Sequence, residues 1–241
     1  MQLKDFSFET PQENILYDEV LLQLAQKQNA GEVLRFWESS KIFIVLGRIG
    51  KEQEDIDLRQ ARQDKIAVLR RTSGGGTVLQ GPGCLNFTLV LDKGRHTDLA
   101  DLRKSYAWIS SKVIDALKMG GVKAVFRPIS DIALAGSEKK ISGNAQHRSK
   151  NFILHHGTIL YNFDLKLISH YLKMPKDIPD YRQSRPHADF IANAPIQAIP
   201  FKQALAGIFS LKTQEKLQHP SPQEVLALQE LLDKRPVVVD F

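Results

Sequence analysis

The sequence predicts an α/β (α+β) fold: one domain with a mixed, largely antiparallel sheet flanked by helices. Three observations carry that expectation. Strand-like apolar runs arrive in pairs joined by short polar turns, as at 33–37 and 41–46, and not in the strict strand–helix alternation of a doubly wound parallel sheet. Two segments, 10–28 and 99–119, place apolar residues at helical spacing. The 241 residues are 42% hydrophobic and 25% charged, close to ordinary globular composition. A chain of that length buries roughly 70–75% of its unfolded surface without staples.

Each element follows from local chemistry. Thr10-Pro11-Gln12-Glu13 opens the first helix: Thr10 caps it, Pro11 suits the first helical position, and Glu13 closes a capping box. Leu16, Val20, Leu21 and Leu24 form its apolar stripe, and Gly31 breaks it. Strands follow at 33–37 and 41–46, a short charged helix at 57–63, and a strand at 66–70. Residues 73–76 form a loop, because three consecutive glycines weaken any regular element. Strands at 77–79 and 85–91 flank Gly81-Pro82-Gly83. Leu102, Tyr106, Ile109, Val113 and Leu117 mark the helix at 99–119, which Gly120-Gly121 stops. Further strands are expected at 122–126, 132–134, 144–148 and 152–161. The tail reads as helices at 165–172, 201–209 and 222–234, the last entered by the capping box Ser221-Pro222-Gln223-Glu224, with a short strand at 237–239.

Composition removes several classes of function. The longest apolar runs, such as Ile42-Phe43-Ile44-Val45-Leu46, fall far short of the ~20 residues of a membrane span. Met1–Phe6 has no signal-peptide pattern. The single cysteine, Cys84, excludes an internal disulfide and a Cys-rich zinc site and points to a reducing, cytoplasmic compartment. The net charge of +6 suits an acidic partner. The basic residues are scattered and form no nucleic-acid-binding motif, so neither nucleic acid nor membrane is expected as a partner.

Three segments could carry chemistry. Arg70-Arg71-Thr72-Ser73-Gly74-Gly75-Gly76-Thr77-Val78 combines backbone N–H groups that can approach an anion with arginines that can neutralise it. It is neither a Walker A loop nor a dinucleotide fingerprint. Its plain reading is a tight turn with a solvated arginine pair. Lys139-Lys140-Ile141-Ser142-Gly143-Asn144-Ala145 sets a lysine where it could reach a carboxylate or phosphate, or else forms a charged hairpin tip. In His155-His156-Gly157-Thr158-Ile159-Leu160 the adjacent histidines of a strand face opposite ways, a poor metal pair. No side-chain motif points to a metal.

In this order, and together with Gly47-Arg48 and Ser130-Asp131, the segments resemble the lipoate–protein ligase A family of the biotin/lipoate ligase superfamily, over roughly residues 10–195. The resemblance implies that 1–195 form a catalytic domain of that fold and 196–241 a helical tail packed on it. It implies a two-step reaction: ATP and lipoate give lipoyl-AMP, and the lipoyl group passes to a lysine of a carrier domain. The carrier would be a glycine-cleavage H-like protein or a 2-oxoacid dehydrogenase E2-like domain. Carried over, Arg71, Gly74, Gly75, Gly76, Thr77, Val78, Leu79 and Lys140 bind ATP and the adenylate. Arg71, Ser73, Lys140 and His156 contact lipoate, and Lys140 is the catalytic residue. ATP and Mg2+ are the implied cofactors. Alternation suggests Val78, Leu79 and Phe87 as the lining of an acyl slot.

The chain departs from that pattern in two places. Where the family has approximately His-Asp-x-Gly-Asn, this chain has Gln80-Gly81-Pro82-Gly83-Cys84. Cys84 is either a small buried residue or the nucleophile of an ATP-independent octanoyl or lipoyl transfer between carriers, the alternative function. In related transferases the cysteine lies near the position of Ser130-Asp131 instead. Only about 45 residues follow the matching region, where many ligases of the family carry a further small C-terminal domain: either the tail substitutes for it, or a separate accessory chain supplies its function as a partner, or the protein performs only the transfer step. Tyr181-Arg182-Gln183-Ser184-Arg185-Pro186-His187 either clamps the adenylate or carrier, or is a solvated loop.

Overall fold

The computed structural model describes residues 1–28, 31–211, 216–217 and 219–235. Strands β1 (Gln2–Asp5), β2 (Val33–Trp37), β6 (Cys84–Asp92), β7 (Ala124–Arg127), β8 (Asp131–Leu134), β9 (Lys140–Arg148), β10 (Phe152–Leu160) and β11 (Lys216–Leu217) form a large sheet in the order β11-β1-β2-β6-β10-β9-β8-β7. From β2 to β7 every neighbour is antiparallel, while β1 runs parallel to β2 and β11. Strands β3 (Phe43–Leu46), β4 (Val68–Arg70) and β5 (Val78–Gln80) make a small sheet, with β3 parallel to β4 and antiparallel to β5. The mixed, mostly antiparallel fold expected from the sequence is present.

The first helix, α1 (Pro11–Gln28), starts at the expected capping box: the Glu13 amide donates to Thr10 Oγ1 (3.2 Å), and the Thr10 amide donates to Glu13 Oε2 (3.1 Å). Helices α2 (Glu52–Asp55) and α3 (Leu58–Gln63) follow the small sheet's first strand, with Asp57 capping α3. The helix expected at 99–119 divides. A 3-10 turn occupies Thr97–Ala100, and α4 (Leu102–Met119) begins after Asp101, whose carboxylate accepts from the Lys104 amide. Downstream lie α5 (Lys166–Tyr171), α6 (His187–Phe190), α7 (Ala198–Ile208) and α8 (Pro222–Lys234). The α8 capping box is complete. The strand expected at 237–239 lies outside the described residues.

The large sheet has two unlike faces. On one, Leu34, Phe36, Leu85, Phe87, Leu89, Leu91, Ile153 and Ile159 pack against Ile109, Val113 and Leu117 of α4 and Phe201 and Leu205 of α7. Full burial of each such aliphatic side chain is worth about 1.5–3 kcal/mol over exposure. The other face is covered by α1, α8 and the small sheet. There Leu16, Tyr17, Val20 and Leu21 meet Val33, Val90 and Leu154. The amphipathic stripe of α1 therefore fixes which residues of β2, β6, β9 and β10 lie beneath it. Among the described residues no helix is long and apolar enough to cross a membrane.

Candidate active site

Strand β9 organises the site. Alternation turns Asn144 and Gln146 toward α4, and Gly143, Ala145 and His147 toward α1. The register sets Ala145 opposite His156, His156 opposite Thr88, and Thr88 opposite Arg35. At the level of Ala145 this face is thus paved with small and polar side chains.

The glycine loop lies on that pavement. Gly75, at φ +83°, sits where a Cβ would be 3.7 Å from the Ala145 Cβ. Gly47, after β3, meets it from the other side: a Cβ there would be 2.0 Å from the Gly75 carbonyl oxygen, so only glycine allows this approach. The Arg48 amide donates to the Ser73 carbonyl (2.9 Å), and the Arg70 guanidinium donates to the Gly47 and Gly50 carbonyls (3.1 and 2.7 Å). Thr77 Oγ1 donates to Asp55 Oδ2 (2.6 Å).

Arg71 is buried beneath this loop. Its Nε donates to Ser73 Oγ (2.9 Å), and its Nη2 donates to the carbonyls of Gly74 and Gly76 (2.8 and 2.7 Å). Burial lowers its pKa to about 10, so it stays cationic at neutral pH. Ser73 Oγ also lies 2.6 Å from His156 Nε2. Burial, with Arg71 adding repulsion, holds His156 neutral, its pKa well below the ordinary value. Arg71, Ser73, Gly74, Gly75, Gly76 and His156 thus form one assembly, as the sequence suggested. A cavity of about 470 Å³ opens beside it, between Leu16, Leu69, Thr72 and the end of α8. Arg235 flanks that cavity and pairs with Glu19 at 2.7 Å.

Lys140 does not sit on a hairpin tip, one of the two readings open from the sequence. It is the first residue of β9, and the turn is at Glu138, φ 54°. A bulge between Ile132 and Ala133 sets its register. The ammonium folds back over Gly143, where a Cβ would lie 3.1 Å from Nζ. Gly143 and Ala145 are two strand residues apart, about 7 Å, so the lysine and the glycine loop are neighbours on one face. Lys140 Nζ pairs with Asp131 Oδ1 (2.8 Å), and the Tyr181 hydroxyl donates to Asp131 Oδ2 (2.7 Å). The Ala192 amide donates to the Lys140 carbonyl (2.9 Å). Asp131 entered the sequence reading only as part of the family pattern and Tyr181 only within the 181–187 stretch; that Asp131 joins Lys140 to Tyr181 is visible only once β8, β9 and the 180–182 turn are assembled.

One expectation needs correction. Phe87 cannot line a slot beneath the glycine loop. Phe87 shares the face of Leu85, Leu89 and Leu91 that packs on α4, where a Cβ on Gly157 would lie 2.5 Å from its ring. Cys84 is 1% exposed in an apolar cluster with Ile44, Leu46 and Leu79. Burial pushes its thiol pKa up to about 12, so it is held as the unreactive thiol. Val78 and Leu79 belong to β5, Val78 half-buried and Leu79 buried. The 181–187 stretch is not a free solvated loop: Arg185 donates to the Glu138 and Tyr181 carbonyls (3.1 and 3.0 Å), and the Arg182 guanidinium lies 4.5 Å from the Phe190 ring centre.

The family described as "Lipoyl protein ligase A/B catalytic domain" matches residues 10–194. A probable lipoate-protein ligase A of Mycoplasma pneumoniae is 31% identical over 166 residues, 69% of this chain and 47% of that one. Octanoyltransferase LipM of Oceanobacillus iheyensis is 26% identical, over 70% of this chain and 67% of that one. The chain spans about half the length of the Mycoplasma relative. Among solved structures, a bi-partite lipoate protein ligase of Thermoplasma acidophilum, studied with its E2 lipoyl domain, superposes with a TM-score of 0.80 at 25% identity, covering 97% of this chain and 92% of that one. A lipoate-protein ligase A bound with ATP gives a TM-score of 0.77 at 25% identity, covering 97% and 95%. With the profile spanning most of its length, the chain belongs to the lipoyl protein ligase A/B catalytic domain family.

Proposed function

We propose that this chain activates lipoate with ATP and transfers the lipoyl group to a lysine of a carrier domain. The observation that supports it best is the placement of Lys140 Nζ over Gly143, on the strand face that carries Gly75 above Ala145. Adenylation drives an anionic carboxylate against an anionic α-phosphate. A fixed ammonium beside a loop able to turn its N–H groups toward that charge lowers the barrier electrostatically. The substrate carboxylate is itself the nucleophile, so no activated side chain is required. In the structure the carbonyls of Gly74 and Gly76 turn inward to Arg71. Nucleotide binding would take over this arrangement, with Arg71, Gly74, Gly75, Gly76, Thr77, Val78 and Leu79 around ATP and Ser73 and His156 toward the lipoyl chain. Burial under the loop would shield the mixed anhydride from water.

Magnesium would accompany the nucleotide. Among the described residues no three carboxylate, histidine or cysteine side chains are grouped to hold a metal. The carrier would be a lipoyl domain of the H-like or E2-like kind. The bi-partite Thermoplasma relative, of which this chain covers 92%, favours a separate accessory chain as a further partner.

Incubation with lipoate, ATP, magnesium and an apo carrier domain tests the proposal. Lipoate-dependent pyrophosphate release and a lipoyl mass increment on the carrier are expected, and absence of both defeats it. The octanoyltransferase relative favours a second reading, ATP-independent acyl transfer between carriers. Acyl transfer in the absence of ATP, lost in Cys84→Ala, would establish that reading. The apolar surroundings of Cys84 argue against it.

A further inference from the structure

We propose that Asp131 receives the acceptor lysine of the carrier in the second half-reaction, at the carboxylate oxygen that Lys140 now occupies. The inference rests on the ligase reading above and adds a catalytic residue to it. Asp131 Oδ1 holds one ammonium group, that of Lys140, at 2.8 Å. Its other oxygen is fixed by the Tyr181 hydroxyl at 2.7 Å. The carboxylate is therefore already shaped around a primary alkylammonium and braced by a second donor. During adenylation the Lys140 ammonium is drawn to the α-phosphate, and Oδ1 is left facing the acyl carbonyl's side of the strand. The chemical class that fits the vacated position is another primary alkylammonium, which is what the carrier presents.

Access favours the same assignment. Ile129, two residues before Asp131, is 63% exposed, and the Lys140 side chain is 28% exposed. The Asp131 carboxylate is nearly buried, its side chain 11% exposed, and is reached past the part-exposed Lys140 side chain, whereas His156, the other candidate proton acceptor, lies beneath the glycine loop and is held neutral by burial. The titratable and charged groups around Asp131 are Lys140 from β9, Tyr181 and Arg182 from the 180–182 turn, and Tyr106 from α4. Burial and Asp131 both raise the Tyr181 pKa, so Tyr181 remains a donor throughout.

The step balances without a co-reactant. The carrier ammonium loses one proton to solvent and its lone pair attacks the acyl carbonyl. As the C–N bond forms, the nitrogen becomes acidic and Asp131 Oδ1 takes its second proton. The bond between the acyl carbon and the bridging oxygen breaks, AMP leaves with that oxygen and the electron pair, and Asp131 returns the proton to solvent.

The test separates the half-reactions in the full chain. Lipoate-dependent pyrophosphate release reports the first. Transfer from preformed lipoyl-AMP reports the second, once to the carrier domain and once to hydroxylamine, an amine uncharged at neutral pH. Asp131→Asn is expected to lower carrier transfer about 100-fold more than it lowers pyrophosphate release. Hydroxylamine transfer should be far less affected, and carrier transfer should recover as pH rises from 7 to 9.5. Tyr181→Phe, a substitution that keeps the ring, should show the same pattern more weakly and raise the KM for carrier more than it lowers kcat. Equal loss in both half-reactions, wild-type carrier transfer in Asp131→Asn, or hydroxylamine transfer falling as far as carrier transfer would each overturn the assignment. Should wild type release no pyrophosphate, the ligase reading fails, while transfer from preformed adenylate still decides the role of Asp131.

Discussion

His155 and His156 are consecutive in sequence and face opposite sides of the large sheet, and their surroundings separate scaffold from site. His155 points to the α4 side and is fully buried. Gln146 Nε2 can only donate, so His155 Nδ1 accepts from it (3.1 Å), and His155 Nε2–H donates to Asn144 Oδ1 (3.1 Å). Burial drives its pKa down to about 3. Its partners are fixed in regular elements: Asn144 and Gln146 in β9, Phe87 in β6 and Tyr106 in α4. His156 is equally neutral, but its partner Ser73 belongs to a loop that lies on the strand and is not woven into it. One face is closed by interdigitated aliphatic side chains, the other by a lid of glycines and hydrogen bonds. The lesson is that one sheet holds stability and chemistry apart by the parity of its strands.

The sharpest way to break this contrast is at Lys140. Lys140→Ala should lower lipoate-dependent pyrophosphate release by about 10³-fold, about 4 kcal/mol of barrier. It should lower the thermal midpoint only modestly, because the ammonium is part exposed and the Asp131 carboxylate keeps the Tyr181 hydroxyl when its counter-charge is lost. Activity within tenfold of wild type would remove the lysine from the mechanism.

Two glycines of opposite parity compare the faces directly. A Cβ on Gly157 would lie 2.0 Å from Asn144 Oδ1 and 2.5 Å from the Phe87 ring, inside the packed face. Gly157→Ala should cost about 3 kcal/mol, read as a lower denaturant midpoint. A Cβ on Gly143 would meet only the flexible end of Lys140 and the Asp131 carboxylate. Gly143→Ala should cost less than about 1 kcal/mol yet lower turnover about tenfold by displacing the ammonium. The reverse pattern would mean that the two faces are not divided as described.

The histidine pair gives a pH signature. Both are held neutral when folded, while the unfolded chain binds protons near pH 6.5. Their contribution is therefore full above that value and is lost as pH falls toward about 3 for His155. Each should remove about 1.4 kcal/mol per pH unit between those limits. Denaturation at pH 7.5 and pH 5.5 measures the slope, and His156→Asn should halve it. The smallest effect is expected at Cys84. Cys84→Ala should cost about 1 kcal/mol through lost packing and leave ATP-dependent transfer intact in the mass assay.

Much of this arrangement is legible in the sequence, because it is written in short-range signals. The capping boxes at Thr10 and Ser221 place α1 and α8, the stripe from Leu102 to Leu117 places α4, and the triple glycine marks a loop. What escapes depends on partners distant in sequence. Strand β1 carries Lys4 into the interior, where only Glu224, 220 positions away, makes it tolerable (2.8 Å). The face of Phe87 is misread because alternation says only that neighbours face opposite ways; which face meets α4 is set by the pairing of β6 with β2 and β10. The direction of Lys140 depends on the Ile132–Ala133 bulge, and no local pattern announces a bulge.

The abutment of Gly47 on Gly75 has a practical consequence. With no side chain between them and the Arg48 amide bonded to the Ser73 carbonyl, the two segments act as meshed teeth: neither turns without the other. Ile49 stands 80% exposed at the outer edge of that gear. A fluorophore attached there through an introduced cysteine would register each opening of the glycine loop from outside, without touching a residue that handles substrate.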